Sequence, residues 1–160
     1  VYMYQKRDHK WKRILKCKGY VGKKGIHKKR EGDLKTPSGT FGFTGAFGIK
    51  KNPGAKMNYT RVNKYLYWCG DKKYYNRLID VRKKKHRCRG EHLIDYKPHY
   101  YYGMFLNYNP KHKYKKGSAI FLHCKGKKPY TAGCIAVSRK NMKKIIKNAE
   151  SGARICIYRK

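Results

Sequence analysis

Acidic residues are nearly missing from this chain: 8 Asp plus Glu stand against 43 Lys plus Arg in 160 residues, a formal net charge of +35. Self-repulsion of that size is tolerated most easily beside a polyanion, which points to nucleic acid, an anionic membrane surface or an anionic cell-wall polymer as partner. Long apolar runs are missing as well. No window approaches the roughly 18 apolar residues of a membrane-spanning helix, and the chain starts at Val1 with no charged and apolar leader regions, so the expectation is a cytosolic protein or one parted from its leader. There is no C-x-x-C pair, no internal repeat and no linker. The six cysteines, Cys17, Cys69, Cys88, Cys124, Cys134 and Cys156, are even in number but irregularly spaced, so they do not fix the redox compartment and leave any disulfide open.

What is present argues for an ordered fold. Hydrophobic residues make up 39% of the chain and Tyr alone supplies 16 of them, in short apolar runs between Gly, Pro and Lys clusters. A chain this long buries roughly two thirds of its unfolded surface, enough to fold as one domain over residues 1–160 without a metal or disulfide scaffold. The cations are spread through "KKGIHKKR", "VRKKKHR", "KHKYKK" and "KNMKKIIK", a whole-surface attraction rather than one reading head.

The local pattern is mainly β. "VYMYQKRDHKWKRIL" reads as two strands around a charged turn near Asp8, and "REGDLKTPSGTFGF" as a turn-rich loop feeding a strand. Aromatic strands broken at Gly70-Asp71 follow, and "YYYGMFLNYN" and "SAIFLHC" are the clearest strands. One helix is expected, from the N-cap Ser138 through Met142, Ile145, Ile146 and Ala149 to a stop at Gly152, before a closing strand "ARICIY".

The segment "HCKGKKPYTAGCIAV" gathers the chemistry. Its first residue, His123, ends a strand, a loop with Gly126 and Pro129 follows, and "TAGCIAV" leads into the helix, so the two ends of the loop can meet. A cysteine nucleophile needs a base within hydrogen-bond reach and surroundings that favour thiolate, which His123 beside Cys134 in a dense positive field would supply. Gly133, without a Cβ, lets backbone N–H groups beside Cys134 turn toward a developing oxyanion. Two plainer readings compete. A Gly-Cys in an apolar stretch is often a buried small hydrophobe. Zinc would draw on His123, Cys124 and Cys134 or on the separate group His86, Cys88 and His92, but no pair has the C-x₂₋₄-C or H-x₃₋₅-H spacing of structural sites, so no metal is expected.

In order and combination these motifs resemble the L,D-transpeptidase catalytic domain (the YkuD-like group) of bacterial cell-wall enzymes. The resemblance rests on His123 closing its strand, on Thr131, Ala132, Gly133, Cys134 and Ile135, and on Thr36, Pro37 and Gly39 upstream. "YWCGDKKYYN", "GEHLIDY" and "GSAIFLHC" are similar to the branch ending in Thr-Ala-Gly-Cys. Many members have His before the Gly-Cys pair and Arg or Asn two residues after the cysteine, where this chain has Ala132 and Ala136 and a shorter loop.

The resemblance implies a β-sandwich of two packed sheets with one helix after the catalytic cysteine. Cys134 is then the nucleophile and His123 its base, oriented by a backbone carbonyl at about residue 124, with Thr131 and Gly133 in the oxyanion turn. Trp68, Asp71, Tyr75 and Asn76 fall near the donor groove, as an aromatic wall and polar holders of a peptide or, for Trp68 and Tyr75, as core strand residues. Thr36, Pro37 and Gly39 shape a turn. The implied partners are peptidoglycan stem peptides, anionic wall polymers and carbapenem-type inhibitors, the place is extracytoplasmic, in the cell wall or periplasm, and no cofactor is required. The implied reaction forms 3→3 cross-links with loss of D-Ala. The alternatives are an L,D-carboxypeptidase using the same site and a non-catalytic basic module binding cell wall or nucleic acid. Tyr-rich strands interleaved with Lys would suit base stacking, but no RNP-type, helix-turn-helix or zinc-finger pattern accompanies them, so no specific nucleic acid is expected.

Overall fold

Alternation of large apolar and charged residues produces the first hairpin of the computed structural model, which describes residues 1–158: β1 (Tyr2–Arg7) pairs antiparallel with β2 (Lys10–Lys16) around a turn at Asp8 and His9. Both turn residues have positive φ, a conformation tolerated by Asp and His better than by branched residues. The remaining strands are β3 (Gly19–Tyr20), β4 (Gly39–Gly48), β5 (Tyr59–Arg61), β6 (Leu66–Cys69), β7 (Arg77–Asp80), β8 (Gly90–His92), β9 (Gly103–Leu106), β10 (Phe121–Cys124), β11 (Ile135–Val137) and β12 (Arg154–Ile157). A single turn of helix, α1 (Val81–Lys84), follows β7, and α2 (Arg139–Asn148) follows β11. The protein is thus mainly β with packed sheets and one substantial helix, as expected.

The central sheet runs β12-β4-β9-β10-β11-β3, with β5 added beside β4. Period-2 alternation gives it two apolar faces. Met104 of β9 and Leu122 of β10 pair with each other and pack with Ile135, Val137, Met142, Ile145 and Ile146, so this face is covered by α2. Phe105 and Phe121, also paired, point the other way and pack with Phe47, Leu66, Leu93 and Tyr100, beneath the three-stranded sheet β7-β6-β8. Phe47 and Phe105 stack with centroids 4.2 Å apart, and Phe121 meets both edge-on.

Boundaries differ from the sequence reading where turns intervene. The stretch "YYYGMFLNYN" becomes a strand only at Gly103, because His99–Tyr101 forms a 3₁₀ turn after Pro98. The helix begins as expected, with Ser138 Oγ accepting from Asn141 N at 3.3 Å, but stops at Asn148: Ala149 is already extended, ahead of Gly152. The expected single domain runs to residue 160, of which 159 and 160 lie outside the described residues.

Candidate active site

The turn carrying Cys134 is held by two threonines, one within the turn and one 98 positions away. Thr131 Oγ1 donates to Cys134 O at 2.7 Å and accepts from Gly133 N at 3.0 Å. Thr36, wholly buried, donates to the same carbonyl at 3.2 Å and accepts from Gly22 N at 2.8 Å. Gly133 has φ 156°, and a Cβ there would sit 3.0 Å from Lys35 O, so the close approach of the two loops requires glycine. Because the Gly133 amide is taken by Thr131, both residues serve the turn.

The loop that delivers Thr36 is organised by one of the few acids. Asp33 accepts from Lys28 Nζ (2.8 Å), Lys29 N (2.7 Å), Arg30 N (3.1 Å) and Lys35 N (3.1 Å). Burial alone would raise its carboxyl, but these hydrogen bonds, led by Lys28, outweigh it and hold the group well below the usual carboxylate range. Pro37 is also fully buried, so Thr36 and Pro37 shape the turn under the cysteine.

His123 and Cys134 share one face of the central sheet. Strands β10 and β11 run parallel with Leu122 opposite Ile135 and His123 opposite Ala136, so Cys134, one residue before β11, comes level with Phe121, on the side that His123 also faces. The thiol donates to Ala119 O at 3.1 Å and accepts from Phe121 N at 3.3 Å. His123 is 5% exposed, and its Nδ1–H donates to Cys124 O at 2.8 Å. That tautomer leaves Nε2 with a free lone pair, the form a general base needs. Cys124 points to the opposite face, where its thiol donates to Tyr102 O at 3.5 Å and burial pushes it up to about 11. His123, Cys124 and Cys134 therefore do not form a ligand set.

Burial governs the electrostatics, and it reverses one expectation. The cation count implies a lowered thiol pKa, yet Cys134 is pushed up to about 12, first by burial and then by the charge of Glu91, against smaller lowering effects from Phe121 N and Lys28. The surface cations do little for this half-buried thiol, because each solvated lysine is screened by water. Burial also lowers His123 to about 4, with His99, whose ring centroid lies 5.7 Å away, acting in the same direction against the Cys124 hydrogen bond. Cysteine and histidine therefore rest as a neutral pair.

Two residues that the sequence reading passed over stand beside this pair. Tyr100 is buried, its ring centroid 5.6 Å from that of His123, and its hydroxyl donates to the Glu91 carboxylate. Burial raises Glu91 to about 7, despite the Tyr100 hydrogen bond. Glu91 thus holds its proton in the folded state up to a pH well above the ordinary 4.5. The stability this supplies is complete below pH 4.5 and lost as pH rises through about 7. Glu91→Gln, neutral at every pH, should escape that loss. Its stability relative to the parent is expected to climb between pH 4.5 and 7 and level off above it, gaining at most about 3 kcal/mol. Urea unfolding across this range tests it; a difference independent of pH would contradict a raised Glu91.

The four expected groove residues divide. Trp68 lies close to Cys134's neighbours, stacked on Phe105 at 5.0 Å and edge-on to Phe121 at 4.8 Å, and its Nε1–H donates to Asn76 Oδ1 at 3.0 Å. Asn76 also accepts from Ala119 N at 3.2 Å, joining Trp68 to the strand entrance that carries the thiol's acceptor. A cleft of about 240 Å³ is lined by Trp68, Asn76, Leu78, Leu106 and Tyr108 among others. Tyr75 is instead a core residue, 1% exposed, its hydroxyl accepting from Gly117 N at 3.0 Å. Asp71 stands in another cluster, accepting from Arg89 N at 2.9 Å and bonded to His86 Nε2 at 3.1 Å.

Residues 3–157 match the YkuD family, the L,D-transpeptidase catalytic domain. In fold the chain is similar to the Bdellovibrio bacteriovorus protein Bd1075, with a TM-score of 0.52 at 17% identity over 98% of this chain and 43% of that one. The likeness to Bd1075 is one of fold, and this chain spans less than half of that protein's length. No curated protein matches in sequence.

Proposed function

Since the chain belongs to the family of L,D-transpeptidase catalytic domains, we propose that it is one catalytic domain that breaks and remakes peptide bonds of peptidoglycan through a thioester on Cys134. The observation that carries this reading is the pairing of a thiol and a neutral imidazole on one sheet face, with the imidazole's Nδ1–H fixed on Cys124 O so that Nε2 is free to accept. The donor is a tetrapeptide stem. Nε2 of His123 takes the thiol proton as sulfur attacks the carbonyl between the third residue, a diamino acid, and the D-Ala that follows. The tetrahedral oxyanion is met by the Cys134 amide, since the Gly133 amide is spent on Thr131. Collapse breaks the C–N bond, and the imidazolium returns the proton to the departing D-Ala nitrogen. The side-chain amine of another stem's third residue then attacks the thioester, giving a 3→3 cross-link and regenerating the thiol. One amide replaces another, so no nucleotide is consumed.

Trp68 and Asn76 form the wall along which the donor peptide lies, while Tyr75 and Asp71 hold the segment behind it. The basic face of α2, with Arg139, Lys140, Lys143, Lys144 and Lys147 around one concavity, would draw the domain to anionic wall polymers outside the cytoplasm. Incubating the protein with defined tetrapeptide muropeptides and resolving the products tests the reaction. Dimers lacking one D-Ala with a 3→3 bond are expected. Tripeptide monomers alone would replace cross-linking by hydrolysis at the same thioester, and untouched tetrapeptide would overturn the reading.

A further inference from the structure

The cluster around Asp71 lies outside the chemistry above. Cys69 ends β6, Asp71 opens the turn toward β7, and His86 and Cys88 lie in the segment between α1 and β8. The two thiol sulfurs, a nitrogen of His86 and a carboxylate oxygen of Asp71 all lie within 4.8 Å of one another. We propose that Cys69, Asp71, His86 and Cys88 bind one Zn²⁺ ion in a closed tetrahedral site that clips β6 to β8.

The donor set fits that ion. Two thiolates and an imidazole select zinc over magnesium or calcium, and four protein ligands leave no open position, which makes the site structural. Zinc–sulfur bonds of about 2.3 Å and zinc–nitrogen or zinc–oxygen bonds of about 2.0–2.1 Å place tetrahedral ligand atoms roughly 3.3–3.8 Å apart. Closing on an ion therefore asks for a contraction of about 1 Å or less. The contacts already approach this: Cys69 Sγ stands 3.7 Å from Asp71 Oδ2 and His86 Nε2 3.1 Å from the same oxygen. Arg89 N donates to Asp71 Oδ2, and the Tyr74 ring lies edge-on to His86 with centroids 4.9 Å apart.

The backbone brings the arms together independently of the side chains. Gly70 N donates to Arg89 O at 2.8 Å, a Cβ on Gly70 would lie 2.7 Å from that oxygen, and one on Gly90 would lie 2.2 Å from Trp68 O. Such close approach needs glycine on both arms. The ligands come as Cys-x-Asp and His-x-Cys, two short arms each contributing one thiol, a spacing that searches for C-x₂₋₄-C within one arm pass over. Two thiolates and a carboxylate leave a complex of charge −1, which the surrounding "DKK" and "VRKKKHRCR" segments compensate. The clip also has a structural consequence. In the β6–β8 register Trp68 is opposite Glu91 and Cys69 opposite Gly90, so the ion would lock the pairing that sets both Trp68 and Glu91 against the catalytic face.

Full-length protein, reduced and stripped of metal, should be titrated with Zn²⁺ and with Co²⁺. The expected result is one metal per chain, a melting temperature that climbs with free zinc, and a cobalt complex with tetrahedral ligand-field bands and a thiolate charge-transfer band. That band should fall by about half in Cys88→Ser and persist, with weaker binding, in Asp71→Asn. Asp71→Asn keeps the shape of the cluster, so it reports even if Cys88→Ser does not fold. These readouts are independent of peptidoglycan turnover, so failure of the transpeptidase reading leaves them unaffected. Absence of stoichiometric binding to the reduced protein would overturn the site. So would a native protein lighter by two hydrogens with a peptide joining Cys69 to Cys88, which would make the pair a disulfide.

Discussion

His123→Ala is expected to slow acyl transfer by roughly 10²–10⁴, the usual loss when a general base is removed, while far-UV circular dichroism stays that of the parent. The geometry explains the size. With the thiol pushed up to about 12, thiolate is scarce at neutral pH, and in the proposed reaction attack would depend on an imidazole that takes the proton during the step. Because burial lowers His123 to about 4, the base is already neutral throughout the physiological range. The acidic limb of kcat/KM in the parent should accordingly lie near pH 4 rather than near 6.5, and it should vanish in the variant. An unchanged rate would move the role to His99, whose ring lies 5.7 Å from that of His123. His86 and His92 are held elsewhere, by Asp71 and by Asp95 with Lys64 O.

Much of this arrangement is legible in the residues because it is local. The Asp8 turn, the capping serine before α2 and its apolar stripe follow from spacing, and the segment from His123 to Cys134 stands out because histidine, glycine and cysteine are crowded into a lysine-rich background. What the sequence does not disclose depends on contacts across the chain. Thr36 holds the Cys134 carbonyl from 98 positions away. Glu91 and Tyr100 lie within "GEHLIDYKPHY", yet nothing in that string says that their side chains meet over the face that carries His123. A signal was available in the rarity of acids: in a chain of +35 with 8 Asp plus Glu, each carboxylate is a candidate for a specific role.

The thiol's acidity is the instructive failure. Counting cations predicts a depressed pKa, but charge on a solvated surface acts through water, whereas the sulfur sits among Phe121, Trp68 and their neighbours and pays for desolvation directly. Asp71 shows the opposite limit. Its type suits a peptide amine, and only the fold reveals that its partners are His86, Arg89 and Cys69.

Covalent labelling by a carbapenem tests the central claim most directly, and its expected effect is all or none. A strained amide carbonyl offered to a thiol with a base beside it should be opened at that thiol, whereas a packed thiol without a base should stay intact. Among the described cysteines Cys134 alone shares a face with His123; Cys124 is adjacent in sequence but turned to the α2 side, where it meets Tyr102 O. Intact mass should show one adduct per chain, peptide mapping should place it on Cys134, Cys134→Ala should abolish it and His123→Ala should slow it. An adduct on Cys124, or no adduct on any thiol of the folded protein, would contradict the assignment of Cys134 as the nucleophile.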